Sequence, residues 1–300
     1  MRLRSFLRGC MGLLVGFGLA TSALAQTGAR SSRVPASGFF VGAGGSFNSV
    51  NVGQQDVYAV GTSDVYDSSG TLVQTGRADG PAAPIYMDSQ TTLAPSFQIG
   101  YFQHFTNSDW LWGAKFGYSY LDSTATTRNA LIPQFGSFTT VSSGAVTAFT
   151  GNAYVSYAQT TLVQQMALIP FIGHALGNGF VYGGAGPTLS QLRTDLNGLV
   201  GFADINGNHT DVSGAPQNFS GTNWVYGFAA TIGLTYFLDD SWFLDASYTY
   251  AQTQNQTADF SSTFSNPNGT NGTTLNGTLN GNSTWDATTQ SVTVTINKLF

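Results

Sequence analysis

The histidines are the side chains in this sequence that could act as a general base near neutral pH. His209 lies between Asp204 and Asp211, in the run Asp-Ile-Asn-Gly-Asn-His-Thr-Asp, where a carboxylate could orient its imidazole ring. The run also resembles a calcium loop of the D-x-N-x-N type, but His209 occupies the position that needs glycine, and the sequence contains no glutamate to complete the ligand set. His104 and His174 flank short turns and are interpreted as interfacial residues. A catalytic or calcium site at His209 stays open as an alternative, whereas we expect no catalytic residue, no cofactor and no metal.

Two charged residues, Lys115 and Asp245, stand in segments where apolar side chains alternate with small polar ones. Each follows a short polar turn, which ends at Asp109 in one case and at Asp240 in the other, so we expect both charges at a similar depth. The pattern predicts an interior ion pair between them, either direct or bridged by water or other polar groups. The alternative is that each charge has separate partners, such as Gln98, Thr293 or Thr295.

Residues 223–237 show the kind of element that must position these side chains. Large apolar residues alternate here with small ones, so a strand would have one apolar face and one small, mostly polar face. The apolar set has aromatic residues at both ends and aliphatic ones between them: Trp224, Tyr226, Phe228, Ala230, Ile232, Leu234 and Tyr236. This layout is typical of a strand that crosses a lipid bilayer, because aromatic rings favour the two membrane interfaces.

The same alternation recurs in eight segments, each long enough for a tilted transmembrane strand. They cover approximately residues 38–48, 93–101, 110–120, 162–174, 179–192, 223–237, 241–251 and 291–300. Three short turns join them on one side, and four long polar segments join them on the other, at approximately 49–91, 122–158, 193–222 and 253–285. The sequence therefore predicts an all-β fold: an eight-stranded antiparallel up-and-down transmembrane β-barrel with four long extracellular loops and three short periplasmic turns. A soluble sandwich is the alternative, but it does not need aromatic ends on its strands.

Three details of this barrel follow less directly from the sequence. The pattern leaves open the facing of the strands between Leu162 and Leu192. The last long loop is low in complexity and poor in apolar residues, so we expect it to be flexible. The glycines of Gly183-Gly184-Ala185-Gly186 loosely resemble a phosphate-binding loop, but no helix follows them. We interpret them as positions that relieve crowding inside a narrow barrel or at a bend.

The N-terminus has the pattern of a secretory signal peptide. Three arginines precede an apolar run from Met11 to Leu19, and Ala23-Leu24-Ala25 then offers a cleavage site. The apolar run is too short to span a bilayer as a helix, so cleavage near Ala25 is favoured over a membrane anchor. The predicted organisation is a signal peptide at 1–25, a short periplasmic segment at 26–37 and an outer-membrane barrel domain at 38–300.

The charge composition excludes a nucleic-acid partner. Charged residues make up 8% of the chain, all 15 acidic residues are aspartates, and the formal net charge is -5. Loss of the three signal arginines would leave seven basic residues against those 15 aspartates, without a basic cluster that could attract phosphate groups. The single cysteine, Cys10, lies in the signal segment, so the predicted domain has no disulfide to stabilise it.

The signal peptide, the eight strands and a last strand ending in Phe300 together resemble the small bacterial outer-membrane barrels of the opacity-protein and OmpA-like porin superfamily. The final residues, Val-Thr-Ile-Asn-Lys-Leu-Phe, are similar to the family's assembly signal, an amphipathic strand that closes with an aromatic residue. Thr295 and Lys298 depart from that pattern, which commonly has a glycine and an aromatic residue there. The resemblance implies that Ile296 and Phe300 are read by the barrel-assembly machinery during insertion.

These observations predict a monomeric barrel in the outer membrane of a Gram-negative bacterium, surrounded by outer-membrane lipids and lipopolysaccharide. We expect a structural or surface-interaction role, similar to adhesion, with a possible surface ligand bound through the long loops and no catalysis. The first alternative is a narrow porin that passes ions or small solutes, although side chains largely fill the lumen of an eight-stranded barrel. An outer-membrane lipid-modifying enzyme is the third possibility, and the placement of the histidines disfavours it.

Overall fold

The computed structural model of the chain describes residues 34–205 and 208–300, without the side chains of 205–209 and 270. The predicted signal peptide lies outside this part. The described residues form β1 (Ser37–Asn51), β2 (Gln54–Tyr66), β3 (Leu72–Asp79), β4 (Ala83–Tyr86), β5 (Gln90–His104), β6 (Trp110–Thr140), β7 (Val146–Leu176), β8 (Gly179–Ile205), β9 (Asn208–Asp211), β10 (Gln217–Phe237), β11 (Trp242–Thr253), β12 (Gln256–Asn266), a 3-10 turn (Thr270–Gly272), β13 (Thr274–Trp285) and β14 (Thr288–Leu299). They contain no helix with the length and apolar character needed to cross a bilayer.

Eight of these strands pair in a closed ring. β1 pairs with β5, and the pairing continues through β6, β7, β8, β10, β11 and β14, which returns to β1. All of these pairs are antiparallel; Ala43 of β1, for example, faces Phe97 of β5 on one side and Ile296 of β14 on the other. The predicted eight-stranded up-and-down barrel is therefore confirmed. We call the ring from its short turns up to Tyr120, Tyr226 and Tyr250 the membrane barrel.

Side chains alternate across the wall of the membrane barrel as the sequence predicts. On β10, Phe228 and Ile232 have 59% and 65% of their surfaces exposed, whereas Ala229 and Thr231 between them have 0% and 3%. The alternation also settles the facing that the sequence left open, because Ile172 and Val181 point outward while Phe171 and Tyr182 point into the lumen. The apolar exterior and the partly polar interior are those of a barrel that lies in lipid.

The long segments between these strands are largely strands themselves, and the last of them differs from the flexible loop that the sequence predicts. Residues expected to be flexible near the C-terminus form the β12–β13 hairpin, in register from Gln256↔Trp285 to Asn266↔Leu275. β13 pairs with β2, β2 pairs with β3 and β4, and β3 pairs with the distal end of β6. The distal halves of β6, β7 and β8 remain paired with one another. Ordered strands therefore continue the barrel wall beyond the membrane barrel.

We call this upper part the extracellular extension: β2, β3, β4, β9, β12 and β13 with the distal parts of β6, β7, β8 and β10. Each of its strands lies above a strand of the ring, since β2 and β13 pair with each other as β1 and β14 do below them. β6 and β7 each run for 31 residues. At about 3.3 Å per residue and a tilt near 40°, such a strand rises roughly 75 Å, well beyond an apolar band of about 25 Å. An exposed turn, Val141–Ala145, joins these two strands at their distal end.

One boundary in the extracellular extension lacks a backbone ladder among the described residues. β10 and β11 are in register from Phe237↔Phe243 up to Gly227↔Thr253, and the Gln254 N–H donates to the Tyr226 carbonyl at 2.8 Å just above. Beyond this point β10 and β12 meet through side chains. The rings of Phe219 and Phe260 lie 4.7 Å apart, and Ser262 Oγ donates to Gln217 Oε1 at 2.8 Å. We call this boundary the seam.

The short turns at the opposite end are held by local hydrogen bonds. In the turn after β10, the carboxylate of Asp239 accepts from the backbone N–H groups of Ser241 at 2.7 Å and Trp242 at 2.8 Å. These bonds hold the pKa of Asp239 below its usual value. Gly177 in the turn after β7 has a φ of 62°, a left-handed conformation that glycine adopts without strain.

Candidate functional site: the closed lumen and the extracellular extension

An aromatic cluster fills the lumen at the turn end of the membrane barrel. The rings of Phe40 and Phe243 lie 5.3 Å apart, those of Phe102 and Phe180 lie 5.3 Å apart, and Phe237 packs 5.0 Å from Phe243. Each of these five side chains is at most 3% exposed. Their sequence positions alternate with lipid-facing residues, and five of the eight strands, β1, β5, β8, β10 and β11, contribute one of these rings each. This plug closes the periplasmic mouth with apolar surface.

The predicted interior charges, Lys115 and Asp245, lie together directly above the aromatic plug. Lys115 Nζ is 3.2 Å from Asp245 Oδ2, and their side chains are 9% and 4% exposed. Tyr182 lies between them: its hydroxyl donates to Asp245 Oδ1 at 2.8 Å and accepts from Lys115 Nζ at 2.5 Å. The ammonium group also lies 4.7 Å from the centre of the Tyr182 ring. The buried carboxylate therefore has a partner on each oxygen, as a buried charge requires.

Gln98 extends this ion pair into a wider polar network. Its Nε2 donates to Asp245 Oδ2 at 3.0 Å and lies 2.8 Å from Thr295 Oγ1 and 2.7 Å from Asn297 Oδ1. The two alternatives considered for the charges thus coexist, because Asp245 contacts both Lys115 and Gln98. The network crosses the lumen from β6 through β11 to β14, so it holds distant strands at one level.

A small polar cavity lies above the network. It has a volume of about 80 Å³ and is lined by Ser96, Gln98, Lys115, Ser119, Gln165, Ser247, Thr249, Thr293 and Thr295, among others. The hydroxyl of Ser96 bonds to Ser46 at 3.0 Å and to Ser119 at 2.9 Å along its wall. A polar cavity of this size accommodates a few ordered water molecules. The lumen therefore has room for water in its middle and is closed by apolar side chains below.

The interior of the extracellular extension has the opposite character. Its lower part is a hydrophobic cluster that includes Val57, Leu199, Leu279 and Trp285, each at most 3% exposed. A second cluster further out contains Phe138 and Val65, among others. Outside these clusters the strands present hydroxyl and amide ladders, such as Thr62 with Thr278 at 2.8 Å and Thr257 with Thr284 at 2.8 Å. The extension is thus packed like a water-soluble β-domain.

The predicted assembly residues lie where the final strand faces outward. Ile296 and Phe300 are 48% and 74% exposed, and Phe300 exchanges backbone hydrogen bonds with Phe39 at the start of β1. Lys298, a departure from the family pattern, places its Nζ 5.0 Å from the ring centre of Trp242. A charged side chain at this interface can reach the headgroups while its stem lies on apolar surface.

The histidines do not meet in one site. His104 lies beside the turn after β5, where its Nδ1 is 3.1 Å from the Ser108 carbonyl, and His174 packs 5.0 Å from Trp110 at the same end. His209 is paired with Asp204 through β9, but its side chain is not described, so the catalytic and calcium hypotheses for it stay untested. Within the described residues, no group of three or more His, Cys, Asp or Glu side chains could hold a metal ion.

The glycine run on β8 lies against β7. A Cβ at Gly184 would lie 2.3 Å from the carbonyl oxygen of Pro170, and one at Gly186 would lie 2.0 Å from that of Leu168. Both positions therefore require glycine for close approach of the two strands, which agrees with the interpretation that they relieve crowding.

Tyr182 is the site residue that sequence reasoning missed. The segment around it contains glycines and Pro187, which blur the alternation. A signal was nevertheless present, because Phe180 and Tyr182 share one parity while Val181 and Gly183 share the other. Assigning the large aromatic pair to the lumen would have placed a hydroxyl close to the interior charges.

No protein-family profile and no curated protein matches the chain. Among solved structures, it is similar to the outer membrane protein OprG from Pseudomonas aeruginosa, at 10% identity over 90% of this chain and 99% of that chain, with a TM-score of 0.34. Neisserial surface protein A (NspA) matches at 11% identity over 87% and 97%, with a TM-score of 0.29. Ail, the attachment invasion locus protein of Yersinia pestis, matches at 13% identity over 81% and 98%, with a TM-score of 0.25.

These similarities are distant, so the fold rests on the strand pairing and the alternating burial described above. The closed ring of eight antiparallel strands and its apolar, aromatic-edged exterior are those of small bacterial outer-membrane proteins. The chain is an eight-stranded β-barrel of the outer-membrane type, prolonged by an ordered extracellular extension.

Proposed function

We propose that this barrel acts at the cell surface, through its extracellular extension, and that it catalyses no reaction. The observation that carries the proposal is the contrast along the barrel axis. The lumen is closed by the aromatic plug and the Lys115–Asp245 network, whereas the extension is a folded body with a mostly polar exterior. Binding functions commonly reside on surface segments that a rigid scaffold positions, and here the scaffold continues into those segments themselves.

Several steps of the biogenesis belong to the same proposal. Cleavage near Ala25 would leave residues 26–37 as a short periplasmic segment before the barrel domain at 38–300. Ile296 and Phe300 would then be read by the barrel-assembly machinery, and the inserted barrel would stand as a monomer among outer-membrane lipids and lipopolysaccharide. The closed ring supports the monomer, since closure leaves the membrane barrel without a strand edge that needs a partner.

Cell attachment tests the surface role. Because β11 and β14 are direct neighbours, an Asn-Gly turn can replace residues 254–286 and delete the β12–β13 hairpin while leaving the ring intact. We expect cells that express this variant to attach less to one another and to polysaccharide-coated surfaces than cells with the full chain. Heat-modifiable gel mobility checks that both barrels are folded, and equal attachment of the two strains would contradict the proposal.

The narrow porin is the second candidate, because the lumen contains the polar cavity of about 80 Å³. Single-channel conductance of the refolded mature protein separates the two functions. We expect no steady conductance, since the aromatic plug interrupts the polar path. Stable openings that disappear in Lys115→Met or Asp245→Asn would overturn the closed-lumen proposal in favour of a small porin.

A further inference from the structure

The seam between β10 and β12 contains a pocket that the closed lumen does not explain. The pocket has a volume of about 320 Å³, within the range of small-molecule sites in proteins. Its walls come from four strands: Thr194 and Leu196 of β8, Asn218–Gly221 of β10, Ala258–Ser261 of β12 and Ser283 of β13. It therefore connects the outer surface at the seam with side chains that face the interior of the extracellular extension.

The inner part of the seam pocket offers a hydroxyl without a partner. Thr194 is 5% exposed, and its Oγ1 has no hydrogen-bond partner within the described part of the chain. Ser283, which is 2% exposed, accepts a hydrogen bond from Gln55 at 2.5 Å and keeps its own hydroxyl proton available. A buried hydroxyl that lacks a partner carries a desolvation cost, which a ligand hydroxyl in the pocket would remove.

The outer part of the seam pocket combines aromatic and polar side chains. Phe219 is partly exposed and packs on Phe260, which gives the pocket an apolar wall. Around that wall stand the amide of Asn218, the hydroxyls of Ser220 and Ser261, and the carboxylate of Asp259. A sugar ring has the complementary chemistry, because its C–H face packs on an aromatic ring while its hydroxyls bond to hydroxyl, amide and carboxylate groups.

The charge of the seam pocket and its height above the membrane barrel further restrict the class of sugar that it can bind. The charged groups on these walls and beside them are the carboxylate of Asp259 and the ion pair of Arg193 with Asp195, so the pocket has a net negative charge that disfavours a sulfated or phosphorylated sugar. The seam begins just above Tyr226, at the outer edge of the membrane barrel, and the pocket lies several residues higher. That height is the level at which the sugars of the outer leaflet and of surface polysaccharides lie.

We propose that the seam pocket binds a neutral sugar unit of mono- or disaccharide size, from lipopolysaccharide or from a free surface glycan. This inference rests on the proposed surface function and names its ligand class. The sugar packs its ring face on Phe219, and one hydroxyl reaches Thr194 Oγ1. Gly221 leaves room for it, because a Cβ added there would meet Ala258 Cβ at 3.9 Å as its nearest contact.

The test uses the mature chain refolded in lauryldimethylamine oxide, a detergent without a sugar headgroup. Maltose, lactose and N-acetylglucosamine are titrated and followed by saturation-transfer NMR and calorimetry. We expect binding of at least one of these sugars with a dissociation constant on the order of 1–10 mM, as for a small neutral ligand. Absence of saturation transfer from all of them would overturn the proposal, as would an apolar dye or a peptide that binds the seam while no sugar competes with it.

Matched variants locate the binding. Gly221→Val fills the pocket and Phe219→Ala removes its aromatic wall, so each should weaken sugar binding by roughly tenfold or more. Gly201→Val and Phe264→Ala make the same changes at residues that line a different cavity, and they should leave binding unchanged. Thr194→Val keeps the shape of the side chain but removes its hydroxyl, so it should weaken sugar binding with no loss of folding. Equal binding by Gly221→Val and the wild type, with both folded by heat-modifiable gel mobility, would overturn the proposal.

Nanodiscs separate the two sources of the sugar. If lipopolysaccharide supplies the ligand, free sugar should bind more weakly in discs that contain lipopolysaccharide than in phospholipid discs. Equal binding in both discs assigns the pocket to a free glycan. Gly221→Val fills the pocket but keeps the β12–β13 hairpin, so it separates the two failures. If no sugar binds while attachment of cells to one another still requires the hairpin, this inference fails and the proposed function stands; if attachment does not require the hairpin, the proposed function fails.

Discussion

The membrane barrel and the extracellular extension share strands, but the two regions differ in which face of the wall is apolar. In the membrane barrel the exterior is apolar and the lumen holds a hydrogen-bonded ion pair above the aromatic plug, whereas in the extension the exterior is mostly polar and the interior is a hydrophobic cluster. β6 and β7 pass through both regions without interruption. The same strands therefore lie partly in lipid and partly in water. The outward face of each strand is apolar in lipid and mostly polar in water.

The largest effect should come from breaking the buried ion pair of the membrane barrel. Asp245→Ala leaves Lys115 charged and buried, which should lower the free energy of unfolding by about 3–5 kcal/mol. The matched change in the extension, Asp79→Ala, breaks a pair with Arg77 whose side chains are 63% and 50% exposed, and should cost about 0–1 kcal/mol. Urea unfolding from lipid vesicles measures both, and equal losses would contradict the difference in burial between the two regions.

A second prediction compares the two exteriors. Ile232→Lys places a charge on the lipid-facing wall and should destabilise the barrel by about 2–4 kcal/mol if the residue lies near the bilayer midplane. Thr278→Lys makes the same addition on the outer face of β13, where water solvates the charge, and should change stability by about 0.5 kcal/mol or less. Refolding yields and urea midpoints in vesicles test this contrast. Comparable tolerance of lysine at both positions would show that the Ile232 surface does not face lipid.

The third prediction concerns the interior of the extension. Leu279 is 3% exposed within its hydrophobic cluster, so Leu279→Ala should destabilise the extension locally by about 2–4 kcal/mol. The membrane barrel should stay folded, because its ring is closed independently of β13. Limited proteolysis should then cut within the β12–β13 hairpin, while a protected barrel fragment persists. Loss of the whole barrel would show that the two regions unfold together.

The smallest effect is expected from the carboxylates that hold exposed turns, one in each region. Hydrogen bonds from Ser241 and Trp242 lower the pKa of Asp239, and bonds from Ser69, chiefly through its side chain, lower the pKa of Asp67. Because each folded-state pKa lies below its unfolded value, the stabilisation is present above the unfolded pKa and is lost as the pH falls through the folded one. The free energy of unfolding of Asp239→Ala and of Asp67→Ala should therefore be slightly lower than that of the wild type at neutral pH and equal to it in strong acid. A difference that persists in acid would assign the effect to packing.

The sequence predicted the membrane barrel well, because lipid imposes a strict alternation that few other surroundings require. The β12–β13 hairpin was missed for the same reason. Its apolar residues, Leu275, Leu279 and Trp285, recur with one parity, but Asn, Gly and Thr surround them and give the composition of a flexible loop. A strand whose outer face meets water needs no aromatic ends, so the pattern used for the barrel does not detect it.

The interior charges illustrate a different limit. Counting residues from the short turns places Lys115 and Asp245 at one depth, and the structure brings the two side chains together. Counting along a strand cannot show which side chain of another strand joins the pair. Tyr182 bonds to both charges, from a strand whose alternation is obscured by glycines. The seam depends in the same way on contacts between strands that are distant in sequence.

The length of β6 and β7 gives the molecule a practical use as a display scaffold. From Tyr120, at the outer edge of the membrane barrel, β6 continues to Thr140 before the exposed Val141–Ala145 turn. That distance is roughly 50 Å of paired strand above the lipid at the rise and tilt of a barrel strand. A peptide inserted after Ser143 would be held by paired strands rather than by a flexible linker. It would lie beyond the lipopolysaccharide sugars and be accessible to large binding partners.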